Sequence, residues 1–412
     1  MTATALRASV PLVTDGYAWR VTAYRRKAVP STGRRTGRLT VGVLPVWLAV
    51  VALVLSACAF GPPDEEESGA PPKFPTPSAQ PSQESEAEIA VEPIVEALQV
   101  PWGVAFLPDG TALVTERETR NIIQISRDFE KKKIQTISEA YPDGEGGLLG
   151  IAVSPDYDTD QSVFIYYTTE TDNRIAKLKL GSEPEPIVTG IPAASNHNGG
   201  RLAFGPDGYL YATTGDAGDT DLAQDRNSLA GKILRMTKDG KPAPGNPFGN
   251  LVWSYGHRNV QGIAWDEQKR LYAIEFGQND WDEVNLIEPG KNYGWPEVEG
   301  IGDRPEFVDP LVTWKPDEAS CSGAGILGDI LVSACLRGER LYLMQLDGKG
   351  GLIGAPASAL VGEFGRLRTV ARAPDNTLWV TTSNLDGRGD PRPSDDKILR
   401  LVLSGGSVAG KT

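Results

Sequence analysis

Arg201-Leu202-Ala203-Phe204-Gly205-Pro206-Asp207-Gly208-Tyr209-Leu210-Tyr211 is the stretch on which the reading of the chain turns. An apolar segment with period two runs into Gly-Pro-Asp-Gly and out into another, the pattern of two antiparallel strands joined by a tight turn. Proline presets φ for that turn, and glycine accepts the positive φ that closes it. The phrase recurs from Gly103 through Pro108-Asp109-Gly110, from Gly150 through Pro155-Asp156 and from Gly262 through Asp266. It returns in weakened form from Gly323 through Asp329, and again from Val370 through Pro374-Asp375. The aspartates fall at 109, 156, 207, 266, 329 and 375, which makes six copies. A unit of about 50 residues made only of strands and turns cannot bury both faces of its sheet alone. The repeat therefore predicts an all-β chain, a six-bladed β-propeller of four-stranded antiparallel blades spanning residues 93–404. A seventh blade would need a copy too degenerate to see.

Composition agrees. The 412 residues include 46 Gly and 31 Pro with 40% hydrophobic residues, which suits short strands and disfavours a helical bundle. The 9 Trp, 12 Tyr and 10 Phe need a core, which excludes a wholly disordered chain. With 3 Cys and 2 His, a Cys/His zinc cage is ruled out.

The ends read differently from the body. Residues 1–57 carry eight basic residues against one acid, Asp15, and then an apolar run from Val41 to Leu55. A basic segment, a short apolar run and small residues make an export signal, and the run falls short of the roughly 20 residues a membrane span needs. An uncleaved anchor helix is the alternative. Leu55-Ser56-Ala57-Cys58 resembles the bacterial lipobox, in which Cys58 would carry the lipid. Residues 58–92, with Asp64-Glu65-Glu66-Glu67 and five prolines from Pro71 to Pro81, read as a disordered acidic tether, and 405–412 as a flexible tail. Without residues 1–57 the chain holds 33 basic and 53 acidic residues, a charge of −20, which argues against nucleic acid as a partner. It suits a body outside the cytoplasm, lipid-anchored to a bacterial cell membrane. Cys321 and Cys335 are then a candidate disulfide, worth roughly 3 kcal/mol on the chain-entropy model, with two buried free thiols as the alternative.

A propeller leaves function open, because the same ring serves binding, hydrolysis and redox chemistry. The chemistry must lie in the loops that lead into the inner strands. His197 lies in Ser195-Asn196-His197-Asn198-Gly199-Gly200, before the third copy, and His257 in Gly256-His257-Arg258-Asn259, before the fourth. Gly144-Glu145-Gly146-Gly147 and Gly365-Arg366-Leu367-Arg368 hold the same place before the second and sixth. Blade geometry therefore directs Glu145, His197, Arg258, Asn259, Arg366 and Arg368 toward one funnel. An imidazole among guanidinium groups suits a polyanionic ligand beside a group that loses a proton.

The motifs GEGGLLG (144–150), HNGGRLAFGPDG (197–208), GHRNVQG (256–262), DEVNLIEPGKNYGWP (282–296) and GRLR (365–368) together resemble the soluble quinoprotein glucose/sorbosone dehydrogenase family. These are aldose sugar dehydrogenases that use pyrroloquinoline quinone (PQQ), and the similarity runs over about residues 91–403. The resemblance implies a six-bladed propeller that oxidises a sugar at C1 to a lactone and passes electrons to an external acceptor, as a monomer or homodimer. It implies that His197 is the general base, oriented by Asp216, and that Arg258, Asn259, Arg366 and Arg368 hold the cofactor, with Glu145 facing it where a neutral amide is usual. The lysine that would reach the quinone oxygens corresponds to Leu336 in strict register or to Arg337 one residue on. Calcium (Ca²⁺) would sit on the backbone carbonyls of Gly277 and Gln278. Asp280, Asp282 and Glu283 then form a solvated turn or a second cation site, and His257 a structural imidazole. A sugar-binding propeller without enzymatic activity is the competing reading, favoured by Glu145 and the missing lysine. A propeller lactonase lacks its acidic metal cage here.

Overall fold

The computed structural model describes residues 6–10 and 87–404. Among them, six antiparallel sheets follow one another around a ring. Their inner strands, blades 1 to 6 in order, are Pro101–Phe106, Leu148–Val153, Leu202–Phe204, Val260–Trp265, Cys321–Leu327 and Leu367–Arg372. Each hairpins through its turn into the second strand of its blade, as Phe204 pairs with Leu210 and Val104 with Val114. Helix is confined to Tyr157–Asp160 and one 3-10 turn at Thr220–Ala223 among the described residues.

The ring closes in blade 6, where the chain's early strand Ala87–Val95 pairs antiparallel with Ile398–Ser404 as the outer strand. The fold thus starts at Ala87 and not at 93. The acidic residues Glu88 and Glu92 masked a period-two strand whose Ile89, Val91 and Val95 are buried. A further strand, Leu6–Val10, runs antiparallel to Ala87–Val91 within the stretch read as an export signal. The rest of that stretch, most of the tether with Cys58, and the tail 405–412 lie outside the described residues. No helix among the described residues is long and apolar enough to cross a membrane.

Adjacent inner strands crowd at the channel, and this explains the glycine that opens most copies of the repeat. A Cβ at Gly150 would lie 2.2 Å from the Gly200 carbonyl oxygen, and one at Gly323 would lie 2.5 Å from that of Arg368. Gly103 and Gly262 meet the next inner strand in the same way. In blades 3 and 6 the position holds Arg201 and Thr369 instead. The blade faces pack in clusters such as Trp102, Leu149, Leu202 and Tyr166. In blade 5, Cys321 and Cys335 are direct cross-strand partners joined by a disulfide with an S–S distance of 1.96 Å.

Candidate active site

The loops leading into the inner strands surround a cavity of about 350 Å³. It receives Arg117 from blade 1, Glu145 and His197 from the loops before blades 2 and 3, Arg258 and Asn259 from the loop before blade 4, Arg337 from blade 5, and Arg366 and Arg368 from blade 6. All six residues assigned to one funnel are therefore together, and Arg337 joins them. The turns of the repeat have no part in this wall.

His197 is held in a left-handed backbone conformation, φ +53°. Its N–H donates to Glu145 Oε2 at 3.1 Å, and its carbonyl packs so closely on Gly215 that a Cβ there would lie 1.9 Å from the oxygen. Its Nδ1 lies 2.7 Å from Asp216 Oδ1 and its Nε2 lies 2.8 Å from Arg258 Nη2. A carboxylate only accepts and a guanidinium only donates, so one protonation state satisfies both contacts: neutral imidazole with the proton on Nδ1 and the lone pair of Nε2 facing the cavity. That is the state a general base needs.

Asp216 is fully buried and also accepts from the Gly218 N–H and from Trp295 Nε1, both at 2.8 Å. Burial alone would raise its carboxyl. The bonds from His197, Gly218 and Trp295 outweigh burial and hold it below the usual carboxylate range. Trp295 lies in the quoted 282–296 motif, yet nothing local marks it as a partner of Asp216, 79 residues away. Glu145 follows the same logic. Burial would raise it, but Arg388 at 2.9 Å and the His197 N–H keep it ionised, so the carboxylate at the cavity wall carries its own counter-ion. Arg388 sits in the polar loop Gly387-Arg388-Gly389, which no repeat singles out.

The opposite wall is cationic. Arg366 and Arg368 share the buried Asp386, at 3.0 and 3.4 Å. Arg117 joins them from the end of the second strand of blade 1. Arg337 is exposed at the rim and Leu336 lines the wall, so both registers proposed for the missing lysine reach the cavity. Asn259 accepts the Gly199 N–H at 3.0 Å and so ties the His197 loop to blade 4.

Of the two carbonyls expected to hold a cation, Gly277 lines the cavity, where its oxygen accepts from Arg258 Nη1 at 2.6 Å. Gln278 is exposed and outside the wall. The segment between them and Trp281 is clasped by Glu299, whose Oε1 accepts the N–H groups of Gln278, Asn279, Asp280 and Trp281 at 2.7 to 3.1 Å. Asp282 and Glu283 are not a solvated turn, because both are buried in the strand Asp282–Ile287. Asp282 accepts N–H bonds from Gly277 and Ser320, and Glu283 accepts from Gly300. No cluster of three or more metal-ligating side chains occurs among the described residues. His257 is buried against Glu275, Ser254 and the face of Tyr293, a structural imidazole as expected.

The cavity fits a planar polycarboxylate in charge and in unmet donors, since Arg117 Nε and Arg258 Nε are buried without partners. A cation would find the Gly277 carbonyl in place of the Arg258 guanidinium, and would draw its remaining oxygens from a ligand.

Comparison with known proteins places this geometry. A family model described as Glucose / Sorbosone dehydrogenase matches residues 98–400. The aldose sugar dehydrogenase of Escherichia coli strain K12 is 29% identical over 345 residues, covering 73% of this chain and 92% of that protein. Quinoprotein glucose dehydrogenase B of Acinetobacter calcoaceticus is 31% identical over 254 residues, covering 51% of this chain and 53% of that one. The structure of the PQQ-bound form of an aldose sugar dehydrogenase from Streptomyces coelicolor is similar at 50% identity and a TM-score of 0.74, covering 76% of this chain and 98% of that one.

Proposed function

The chain belongs to the glucose/sorbosone dehydrogenase family, and from that premise we propose that it is a PQQ- and Ca²⁺-dependent dehydrogenase acting on the C1 hydroxyl of an aldose. The observation that carries this reading is the pairing, across one cavity, of a neutral imidazole base with a group of guanidiniums short of carboxylate partners. PQQ bound on Ca²⁺ would supply the hydride acceptor. Arg366, Arg368 and Arg258 would hold its carboxylates and oxygens, and Gly277 would offer the cation its carbonyl.

The chain's own residues do the rest. His197 Nε2 takes the proton of the sugar hydroxyl, and Asp216 holds the imidazole in the Nδ1–H tautomer and stabilises the positive charge that develops. Trp295 fixes the second oxygen of Asp216, so the dyad keeps its orientation when the proton arrives. Arg258 Nη2 donates to Nε2 and must withdraw before a hydroxyl can approach. Glu145, paired with Arg388, is left to accept a hydrogen bond from a sugar hydroxyl at the mouth.

The proposal extends to location. Cys58 would be lipidated after export, the tether would stand the ring off the outer face of a bacterial membrane, and a soluble external acceptor would collect the electrons. Reconstituted with PQQ and Ca²⁺, the protein should reduce a redox dye with some member of a broad aldose panel, and chelation should abolish it. Failure across the whole panel would refute the reading. Cys58→Ser should release the protein from membranes.

A further inference from the structure

The repeat's two exceptions meet. Arg201 of blade 3 donates from Nη2 to Thr369 Oγ1 of blade 6 at 3.1 Å, where the other inner strands considered above carry glycine. Its Nε donates to the Gln261 carbonyl of blade 4 at 2.8 Å, and its guanidinium lies 4.3 Å over the ring of Trp102 in blade 1. Arg201 therefore ties its own blade to three others, four blades in all, at the centre of the ring. No carboxylate lies within ion-pair distance of it among the described residues.

Around Arg201 the imbalance continues. Arg117 is 5% exposed, its ion pair is with the half-exposed Glu118, and its Nε has no partner. Arg366 and Arg368 share one buried carboxylate, Asp386. Gln261 Oε1 accepts from Arg368 at 3.3 Å while its backbone carbonyl holds Arg201, which links Arg201 to the cavity wall. Burial, and then the Arg368 charge, pushes Arg201 down to about 9. Burial, and then Arg117, pushes Arg368 down to about 10, with Asp386 and Glu145 opposing. Of these four buried guanidiniums, only Arg366 and Arg368 thus pair with a buried acid among the described residues, and they share it.

We propose that Arg117 is a third carboxylate-binding group beside Arg366 and Arg368, and that Arg201 is a positioning residue that holds the centre of the ring and supplies the buried positive charge selecting a ligand with about three negative charges. The identity of that ligand as PQQ rests on the proposed function; the charge deficit does not. Uncompensated buried charge weakens the ligand-free fold, and a polyanion that neutralises it adds stability beyond its direct contacts.

The test titrates protein purified without quinone against PQQ and, separately, against citrate as a plain tricarboxylate, reading binding by fluorescence and the melting temperature with and without each ligand. Wild type should bind both and melt higher with either. Arg117→Gln should weaken both by about tenfold or more, with part recovered in Arg117→Lys. Arg201→Gln should shrink the melting shift given by either ligand, while Arg201→Lys, which keeps the charge, retains more of it. A purely structural Arg201 would lower the melting temperature with and without ligand alike. Citrate binding that Arg117→Gln weakens, without PQQ binding, would uphold this anion site and refute the quinone reading. Wild-type affinity in both glutamine variants, or a wild type that binds neither anion, would overturn the proposal.

Discussion

The two walls of the cavity are built on opposite electrostatic rules. On the side of blades 3 and 4, the carboxylates are over-supplied with donors: Asp216 accepts from His197, Gly218 and Trp295, and Glu275 accepts from His257 and the Arg258 N–H. On the side of blades 1 and 6, the cations are under-supplied with acceptors, since Arg366 and Arg368 draw on Asp386 together. A satisfied network is rigid, and it suits a base that must keep one tautomer through a proton transfer. An unsatisfied one has free energy to release, and it suits a site that waits for an anion. The difference separates chemistry from cofactor capture, so substitutions in the His197–Asp216 dyad should leave anion affinity nearly untouched, and substitutions at Arg366 or Arg368 should leave the dyad nearly untouched.

The largest effect should come from the first wall. His197→Ala should lower dye reduction at saturating PQQ by about a thousandfold, the scale of a lost general base, while equilibrium PQQ affinity stays close to wild type. A comparable fall in affinity would show that the walls are not separable. Arg366→Gln should do the reverse, weakening PQQ by about thirtyfold, or about 2 kcal/mol, because it removes a charge-assisted bond and leaves Asp386 with less countercharge. Calorimetric titration reads this directly.

Trp295→Phe sharpens the comparison within the first wall. It keeps an aromatic ring and removes the indole N–H bond to Asp216, with an expected loss of about tenfold in turnover and about 1 kcal/mol in stability. Asp216 sits below its ordinary value in the fold, so its contribution is present above the unfolded value and is lost as pH falls through the folded one. The variant should narrow that window, moving the acid limb of the activity profile upward. An unshifted limb would remove Trp295 from the dyad.

The smallest effect is a gain. Burial, and then Glu275, pushes the Glu283 carboxyl up to about 8. A raised acid favours the fold while protonated, and that advantage is lost as pH rises from the unfolded value toward the folded one. Glu283→Gln should therefore raise the melting temperature at pH 8 by the equivalent of about 1 kcal/mol and do little at pH 5. Equal melting shifts at both pH values would exclude the titration.

The repeat was legible because propeller turns are local. Pro108-Asp109-Gly110 and Pro206-Asp207-Gly208 announce a hairpin whatever surrounds them, and six announcements fix the blade number. His197, Glu145, Arg258, Arg366 and Arg368 were legible too, because each lies just before or at the start of an inner strand and the ring turns that sequence position into a shared location. Other features belong to the assembled ring alone. Asp216 meets Trp295 from 79 residues away, and Arg201 meets Thr369 from 168 away. Glu145 finds its counter-ion in Arg388, 243 residues distant. Asp282 and Glu283 look like surface acids until the strand that carries them is packed. Ala87–Glu92 looks like tether until Ile398–Ser404 needs an outer partner. Period and turn chemistry are properties of neighbours along the chain, so the sequence by itself determined the fold, the blade count and the funnel. Charge balance and burial are properties of neighbours in space, so only the tertiary structure decided which carboxylates are neutralised and which guanidiniums are left wanting an anion.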